Sequence, residues 1–232
     1  MRLFLVSLLS AFLSLATPSV AGDQPVVVEL FTSQGCSSCP PADALLTRLS
    51  KRKDVIALAL HVDYWDYLGW PDHFALKAFS QRQRSYAKVA HKRTVYTPQV
   101  IVQGISHAVG NRVNDVDSLI RQHSKRADMV DLEVSRYGDS LKLSLKEVGG
   151  SVGPSVIYLV RYKPQKTVKI RAGENAGREI LYSNIVTQWK TWAIWPGHGD
   201  LAAVTTISGS DPVVVIVQSE GYGPIIAAYH LR

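Results

Sequence analysis

The residues best suited to chemistry are Cys36 and Cys39, the two cysteines of the 232-residue sequence, which two serines separate. They follow an apolar run at residues 26–31 and precede a helical pattern at residues 42–49, so both thiols fall in a turn between a strand and a helix. The first N–H groups and the dipole of such a helix favour the thiolate form of a nearby cysteine. The spacing therefore predicts a thiol–disulfide active site.

Other uses of the cysteine pair have to be weighed against this one. A structural zinc site needs about four ligands, and the sequence has no further cysteine to supply them, so no such metal site is expected. A copper site would use Cys36, Cys39 and His61, since soft thiolates bind Cu(I), although a longer spacer would suit it better. An idle disulfide would close too small a loop to remove much chain entropy. Copper binding and an idle disulfide stay open as alternatives, and no organic cofactor is expected.

The N-terminal segment predicts export. Arg2 precedes an almost unbroken apolar stretch at residues 3–15, and small residues end the segment at Ala21, which is the pattern of a signal peptide over residues 1–21. The apolar stretch is shorter than the ~20 residues that a membrane-spanning helix needs. We therefore expect a soluble periplasmic or secreted protein, in a compartment that keeps disulfides oxidised.

The charge balance makes nucleic-acid binding a poor interpretation. The sequence has 26 Lys and Arg against 19 Asp and Glu, and its basic residues form no run interleaved with aromatics. The expected partners are instead a protein or small-molecule thiol or disulfide, and a redox partner in the cell envelope.

The residues after the cysteines complete a βαβ unit. A helix is predicted over about residues 41–51, and the apolar run at residues 55–60 predicts a strand buried on both faces of a parallel sheet. An aromatic-rich segment at residues 61–70 follows, at the end of the sheet where ligands of α/β proteins usually bind. This segment is predicted either to line a substrate site or to cover the edge of the sheet.

The remainder of the first half supplies a second helix and a hairpin. Asp72 is predicted to cap a helix over residues 73–91, which would turn Arg82 and other basic side chains to solvent. A strand after Thr97 and Pro98, a return strand and a last helix complete this half.

The order of these elements over residues 24–125 resembles the thioredoxin-like fold. The resemblance implies that Cys36 is the exposed nucleophile and Cys39 the buried cysteine that resolves a mixed disulfide. It also implies a cis peptide bond before Pro98 and pairing of the Thr97 backbone with an extended substrate.

The same resemblance suggests further site residues. Glu29, on the first strand, is similar in position to the buried acid of thioredoxins and would take a proton from Cys39. A Glu29 that reaches a lysine or solvent is the alternative. In the redox interpretation, Tyr64, Trp65 and Tyr96 would line the substrate groove.

Three longer motifs resemble a family of exported bacterial proteins of undefined function, DUF1223. They are ELFTSQGCSSCPPAD at residues 29–43, HVDYWD at residues 61–66 and TVYTPQ at residues 94–99. The family resemblance implies a thioredoxin-like domain with an appended β domain, and no known substrate.

The second half has the pattern of an all-β, sandwich-like domain. Short alternating runs are separated by Gly, Pro and Asp, as in β-sandwiches. We expect an α/β thioredoxin-like domain at residues 24–126 and the all-β domain at residues 127–232. A strand is predicted at residues 168–172, and a plain hairpin or inter-sheet loop at residues 173–178.

Overall fold

The structure, a computed structural model, describes residues 24–231, so the predicted signal peptide lies outside the described residues. Its helices are α1 (Pro40–Leu49), α2 (Lys77–Val89) and α3 (Val113–His123), with a 3-10 turn at Asp66–Leu68. Its strands are β1 (Val26–Thr32), β2 (Val55–His61), β3 (Gln99–Val102), β4 (Ser106–Val109), β5 (Val130–Tyr137), β6 (Ser140–Glu147), β7 (Ser155–Lys169), β8 (Glu179–Trp195), β9 (Leu201–Thr206), β10 (Val213–Ser219) and β11 (Ile225–Leu231). This is a mixed α/β fold with large sheets and few helices. None of the helices within residues 24–231 is long and apolar enough to cross a membrane.

An eight-stranded sheet is the centre of the molecule. Its strand order is β11-β10-β7-β8-β2-β1-β3-β4, with β1 parallel to β2 and antiparallel to β3. The two halves of the sequence meet where β2 pairs with β8, through Ala59 and Ile185. A division into domains at residue 127 stays a prediction, because this sheet contains strands from both sides of that position.

A second, three-stranded sheet of order β5-β6-β9 faces the C-terminal part of the large sheet. Leu141 and Leu143 of the small sheet share one apolar core with Leu159 and Val215 of the large sheet. The separate strand predicted at residues 168–172 is wrong, because β7 continues without a break to Lys169. Residues 163–167, which precede it, pair with β8 as part of a long hairpin.

Strand β1 is buried on both faces, and each face serves a different layer. Val28 and Leu30 pack with Leu46 of α1, whereas Val27 and Phe31 belong to the core that contains residues of α2. Successive side chains of a strand point to opposite faces. The large sheet therefore separates the α1 layer from the α2 layer, and a side chain of β1 can reach only one of them.

Two expectations for α2 are wrong. The helix begins at Lys77 after Leu76, and not next to Asp72. The Asp72 carboxylate instead accepts hydrogen bonds from the backbone N–H of Gln34 and from His61. These bonds connect the loop that carries Asp72 to the cysteine loop and to the end of β2. Arg82 is buried and not turned to solvent, because an acidic partner on β1 and a ring of aromatic side chains surround it.

Candidate functional site

Cys36 and Cys39 are joined by a disulfide at the beginning of α1. The carbonyl oxygen of Cys39 accepts hydrogen bonds from the N–H groups of Ala42 and Asp43, at 2.8 and 3.0 Å, so this cysteine caps the helix. Cys36 is 2% exposed and Cys39 is 0% exposed. The expectation of an exposed nucleophile at Cys36 is therefore wrong for this oxidised state.

The loop between β7 and β8 covers the cysteine turn. The Asn175 amide donates hydrogen bonds to the carbonyl oxygens of Gln34 and Cys36, at 2.9 and 2.8 Å. Glu174 accepts a hydrogen bond of 3.2 Å from the N–H of Ser37. The plain hairpin loop predicted here is thus part of the site. No local sequence signal could identify it, because Asn175 lies 139 residues from Cys36 in the chain.

The structure brings the predicted proline loop and Trp65 to the same place. The Thr97–Pro98 bond is cis, and the Trp65 indole N–H donates a hydrogen bond of 2.7 Å to the Thr97 hydroxyl. A Cβ added to Gly35 would lie 3.2 Å from the Cβ of Trp65. A Cβ added to Gly110 would lie 3.0 Å from the Pro98 Cβ and 3.1 Å from the Ala42 Cβ, so the proline borders the first turn of α1.

Tyr64 and Tyr96 flank this loop, and Gln83 connects them. The Tyr64 hydroxyl donates to the Gln83 side-chain oxygen, and the Gln83 amide donates to the Tyr96 carbonyl oxygen, at 3.1 and 2.8 Å. Burial raises the pKa of Tyr64 to about 12, which keeps this phenol protonated. Tyr96 is 40% exposed, so its ring is available to a bound molecule.

Glu29 lies on the α2 face of the sheet, together with Val27 and Phe31, and not on the α1 face that carries the cysteines. Its two oxygens accept hydrogen bonds from the Arg82 guanidinium at 2.8 and 2.9 Å, and one of them also accepts from the Tyr86 hydroxyl. The carboxylate is fully buried in this ion pair. Transfer of a proton from Cys39 to Glu29 stays a prediction, and this geometry does not support it.

A different carboxylate, Asp43, lies on the α1 face. The Thr32 hydroxyl donates to its Oδ1 at 2.9 Å. The sequence analysis did not identify Asp43 as a site residue, because an acid in the first turn of a helix is usually explained by its favourable interaction with the helix dipole. Its position four residues after Cys39 was the available signal, because residues with that spacing share a helix face.

His61 and Asp72 form a buried pair beside Asp43, with 2.7 Å between Nδ1 and Oδ2. Burial alone would raise the pKa of the Asp72 carboxyl, but the charge of His61 and its hydrogen bond hold that pKa below its usual value. The Tyr182 ring, from β8, lies edge-on at 5.0 Å from the His61 ring. Both halves of the chain therefore contribute to this polar cluster.

Burial raises the pKa of Asp43 to about 7 from its usual 3.8, against the opposing effects of His61 and the Thr32 hydrogen bond. The folded protein then binds a proton that the unfolded chain releases near pH 4. The stability that this proton supplies is fully present below about pH 4 and is lost as the pH rises to about 7. The loss is on the order of 4 kcal/mol.

The Asp43→Asn variant is expected to lack this pH dependence, because the amide stays neutral. Urea unfolding of both proteins with the disulfide intact, between about pH 4 and about pH 8, measures the difference in free energy of unfolding. The variant should gain stability relative to the parent as the pH rises. The pKa of Asp72 is held below its usual value, so Asp72 is ionised above about pH 4 in both proteins and adds little to this difference. A difference that is constant with pH would contradict the assignment.

The copper alternative finds no ready-made ligand group. Among residues 24–231, no three or more His, Cys, Asp or Glu side chains are arranged to hold a metal ion. His61 is engaged through Nδ1 with Asp72, so a copper site would have to use its Nε2.

Comparisons with known proteins identify relatives of similar fold. Residues 27–218 match the model of a family described as "Protein of unknown function (DUF1223)". The crystal structure of a protein from Agrobacterium tumefaciens has a TM-score of 0.76 and 30% identity, over 89% of this chain and 93% of that chain. The solved structure of HBP35 from Porphyromonas gingivalis has a TM-score of 0.64 over 90% of this chain and 74% of that chain; its 14% identity indicates a similar fold alone. A search of curated proteins found no match.

Proposed function

Since the chain belongs to the DUF1223 family, whose function is unknown, we propose from the geometry of this chain that it is a thiol–disulfide oxidoreductase. The sequence motifs had predicted this family. The observation that carries the proposal is a Cys36–Cys39 disulfide at the beginning of α1, next to the Thr97–Pro98 loop and Trp65. A helix N-terminus stabilises the thiolate that attacks a disulfide. The Tyr96 ring offers a partly exposed aromatic surface beside this site.

The reaction would proceed by two exchanges. The Cys36 thiolate attacks one sulfur of a substrate disulfide, so that the S–S bond breaks, the other sulfur leaves as a thiolate and a mixed disulfide forms. The Cys39 thiolate then attacks the Cys36 sulfur and releases the second substrate sulfur as a thiolate. In the opposite direction, a substrate thiolate attacks the Cys36 sulfur of the oxidised protein. Thr97 and Pro98 would position the substrate segment, and Tyr64, Trp65 and Tyr96 would border it.

The proposal includes a thioredoxin-like assignment of the first half and a location outside the cytosol. The order β1-α1-β2-α2-β3-β4-α3 and the mixed pairing of β1 support the fold assignment. The sequence pattern of residues 1–21 supports export, and an oxidising compartment would form and keep the disulfide.

The burial of both cysteines favours a second candidate, an interaction protein with an idle disulfide. Cys36 and Cys39 are 2% and 0% exposed. If the protein is an oxidoreductase, the loop that carries Asn175 must open before a substrate reaches Cys36. If the disulfide is idle, the loop does not open for a partner thiol.

The reduction potential of the pair separates the two candidates. We expect equilibrium with glutathione or a dithiol at a potential between about −120 mV, typical of a disulfide donor, and about −270 mV, typical of a reductant. The Cys39→Ala variant should trap a mixed disulfide through Cys36, whereas the Cys36→Ala control should trap none because it lacks the sulfur that exchanges with the substrate. A pair that resists dithiol reduction in the folded protein, with no trapped species, would favour the idle disulfide.

A further inference from the structure

Asp43 is the buried carboxylate closest in sequence to Cys39. The Asp43 N–H donates to the Cys39 carbonyl oxygen at 3.0 Å, within one helical turn. Side chains four residues apart on a helix have Cβ atoms about 5–6 Å apart on one face. The Asp43 Oδ1 accepts from Thr32, while its buried Oδ2 has no hydrogen-bond partner among residues 24–231.

His61 faces the same layer as Asp43. In the parallel pairing of β1 and β2, His61 lies opposite Thr32, the residue that donates to Asp43. The His61 ring is fully buried, and its Nδ1 is paired with Asp72. Its Nε2 has no hydrogen-bond partner within the described part of the chain, and neither has the buried Tyr182 hydroxyl.

If these side chains had only a structural role, their unpaired buried atoms would lower the stability of the fold without a compensating interaction. A buried polar atom without a partner loses its hydration and gains nothing in return, and Asp43 Oδ2 and His61 Nε2 are both of this kind. With Nδ1–H donated to Asp72, the imidazolium form of His61 carries a hydrogen at Nε2, and the Asp43 carboxylate offers Oδ2 as an acceptor. A single proton between the two groups, directly or through a water, would satisfy both atoms.

We propose that Asp43, supported by the His61–Asp72 pair, takes up the proton that Cys39 releases when it resolves a mixed disulfide. This inference rests on the proposed thiol–disulfide function. The Cys39 thiol gives its proton to the Asp43 carboxylate, and the resulting thiolate attacks the Cys36 sulfur. The bond between Cys36 and the substrate sulfur breaks, its electron pair leaves with the substrate thiolate, and the Cys36–Cys39 bond forms. Reduction of the protein reverses these steps.

The charges around Asp43 set the pH at which it can accept a proton. Burial and the negative charge of Asp72 favour the neutral acid, while His61 and the Thr32 hydrogen bond favour the carboxylate. The balance brings the pKa of Asp43 to about 7, in the range that general acid–base catalysis requires at neutral pH. Tyr182 faces the same groups from β8 and remains a neutral phenol, since burial raises its pKa.

The test is rapid mixing of the reduced protein with an aromatic disulfide that releases a coloured thiolate. The first release reports attack by Cys36, and the second reports resolution by Cys39. In the parent protein the rate of the second release should rise with a midpoint near pH 7. In Asp43→Asn the second release should be slower by roughly tenfold or more at neutral pH, with the first release unchanged.

A second variant tests the supporting role of His61. The His61→Gln variant should move the midpoint of the second release to higher pH, because it removes a positive charge that favours the Asp43 carboxylate. A purely structural role of His61 would not move that midpoint. Asp115→Asn, which removes an exposed carboxylate from the first turn of α3, is the control and should leave both releases unchanged.

Two outcomes would overturn the inference. One is an unchanged second release in folded Asp43→Asn; the other is a parent profile that rises only near the ordinary thiol pKa of about 8.5. The second outcome needs no variant, so the inference remains testable if Asp43→Asn does not fold. Absence of the first release from the parent protein would instead overturn the proposed function itself.

Discussion

Replacing Arg82 by methionine is expected to lower the free energy of unfolding by about 3–5 kcal/mol. The change leaves the Glu29 carboxylate buried without its cation, and a buried unpaired charge is strongly destabilising. Methionine fills much of the same volume, so the loss arises from the charge and hydrogen bonds and not from a large cavity. Urea unfolding of the oxidised protein measures the effect.

The contacts of Arg82 explain why the loss should be large. Besides Glu29, its guanidinium donates to the side-chain oxygen of Gln218 on β10, at 2.9 Å. It lies 3.9 Å from the centre of the Trp189 ring of β8 and 5.5 Å from that of Tyr158 of β7. Cation–π contacts of buried cations are worth up to about 2 kcal/mol each. One side chain of α2 therefore connects β1 to three strands of the second half.

Two further variants test whether the loss of stability arises from the buried ion pair. Arg84→Met removes the same charge from an exposed position on the same helix and should change the free energy of unfolding by less than about 0.5 kcal/mol. The double change Arg82→Met with Glu29→Met should be more stable than Arg82→Met alone, because it removes the unpaired carboxylate. Equal losses for Arg82→Met and Arg84→Met would contradict the role of the buried ion pair.

Replacing Asn175 by alanine is expected to accelerate reduction of the Cys36–Cys39 disulfide by a small dithiol roughly 30- to 150-fold. The change removes two hydrogen bonds to the cysteine turn and leaves the carbonyl oxygens of Gln34 and Cys36 without these donors. We estimate the loss as about 2–3 kcal/mol in the closed state, and every 1.4 kcal/mol is about tenfold in the population of an open state. Reduction through local opening follows that population.

The measurement is the rate of thiol appearance at low dithiol concentration and neutral pH, in the absence of denaturant. Glu174→Ala serves as the graded comparison, because its hydrogen bond to Ser37 is exposed and should contribute less than about 1 kcal/mol. We expect its rate to rise by less than about fivefold. A rate for Asn175→Ala equal to that of the parent protein would mean that this loop does not control access to Cys36.

The burial of Arg82 and its pairing with Glu29 could not be predicted from neighbouring residues. A basic residue on a helix is usually solvated, and nothing adjacent in the sequence marks Arg82 as different from Arg84. Arg82 is buried because β7, β8 and β10, all more than 70 residues later in the chain, cover that face of α2. Its acid partner is likewise 53 residues away.

Local patterns were sufficient for β1, β2 and α1. The apolar runs predicted β1 and β2 because a strand buried on both faces needs no polar side, and the spacing of leucines predicted α1. The Cys-x-x-Cys turn and the Thr-Pro step were likewise visible as short motifs. Motifs of this length also identified the family correctly.

Periodicity and short motifs in the sequence were therefore enough to predict β1, β2, α1, the cysteine pair and the family, because neighbouring residues encode these features. Packing between distant segments determines which carboxylate shares the α1 layer with Cys39 and which loop covers Cys36. Alternation along β1 directs Glu29 to one face of the sheet and Thr32, the partner of Asp43, to the other. The loop that carries Asn175 reaches the cysteine turn because β8 pairs with β2. Both outcomes depend on contacts between distant parts of the chain, which local sequence patterns do not record.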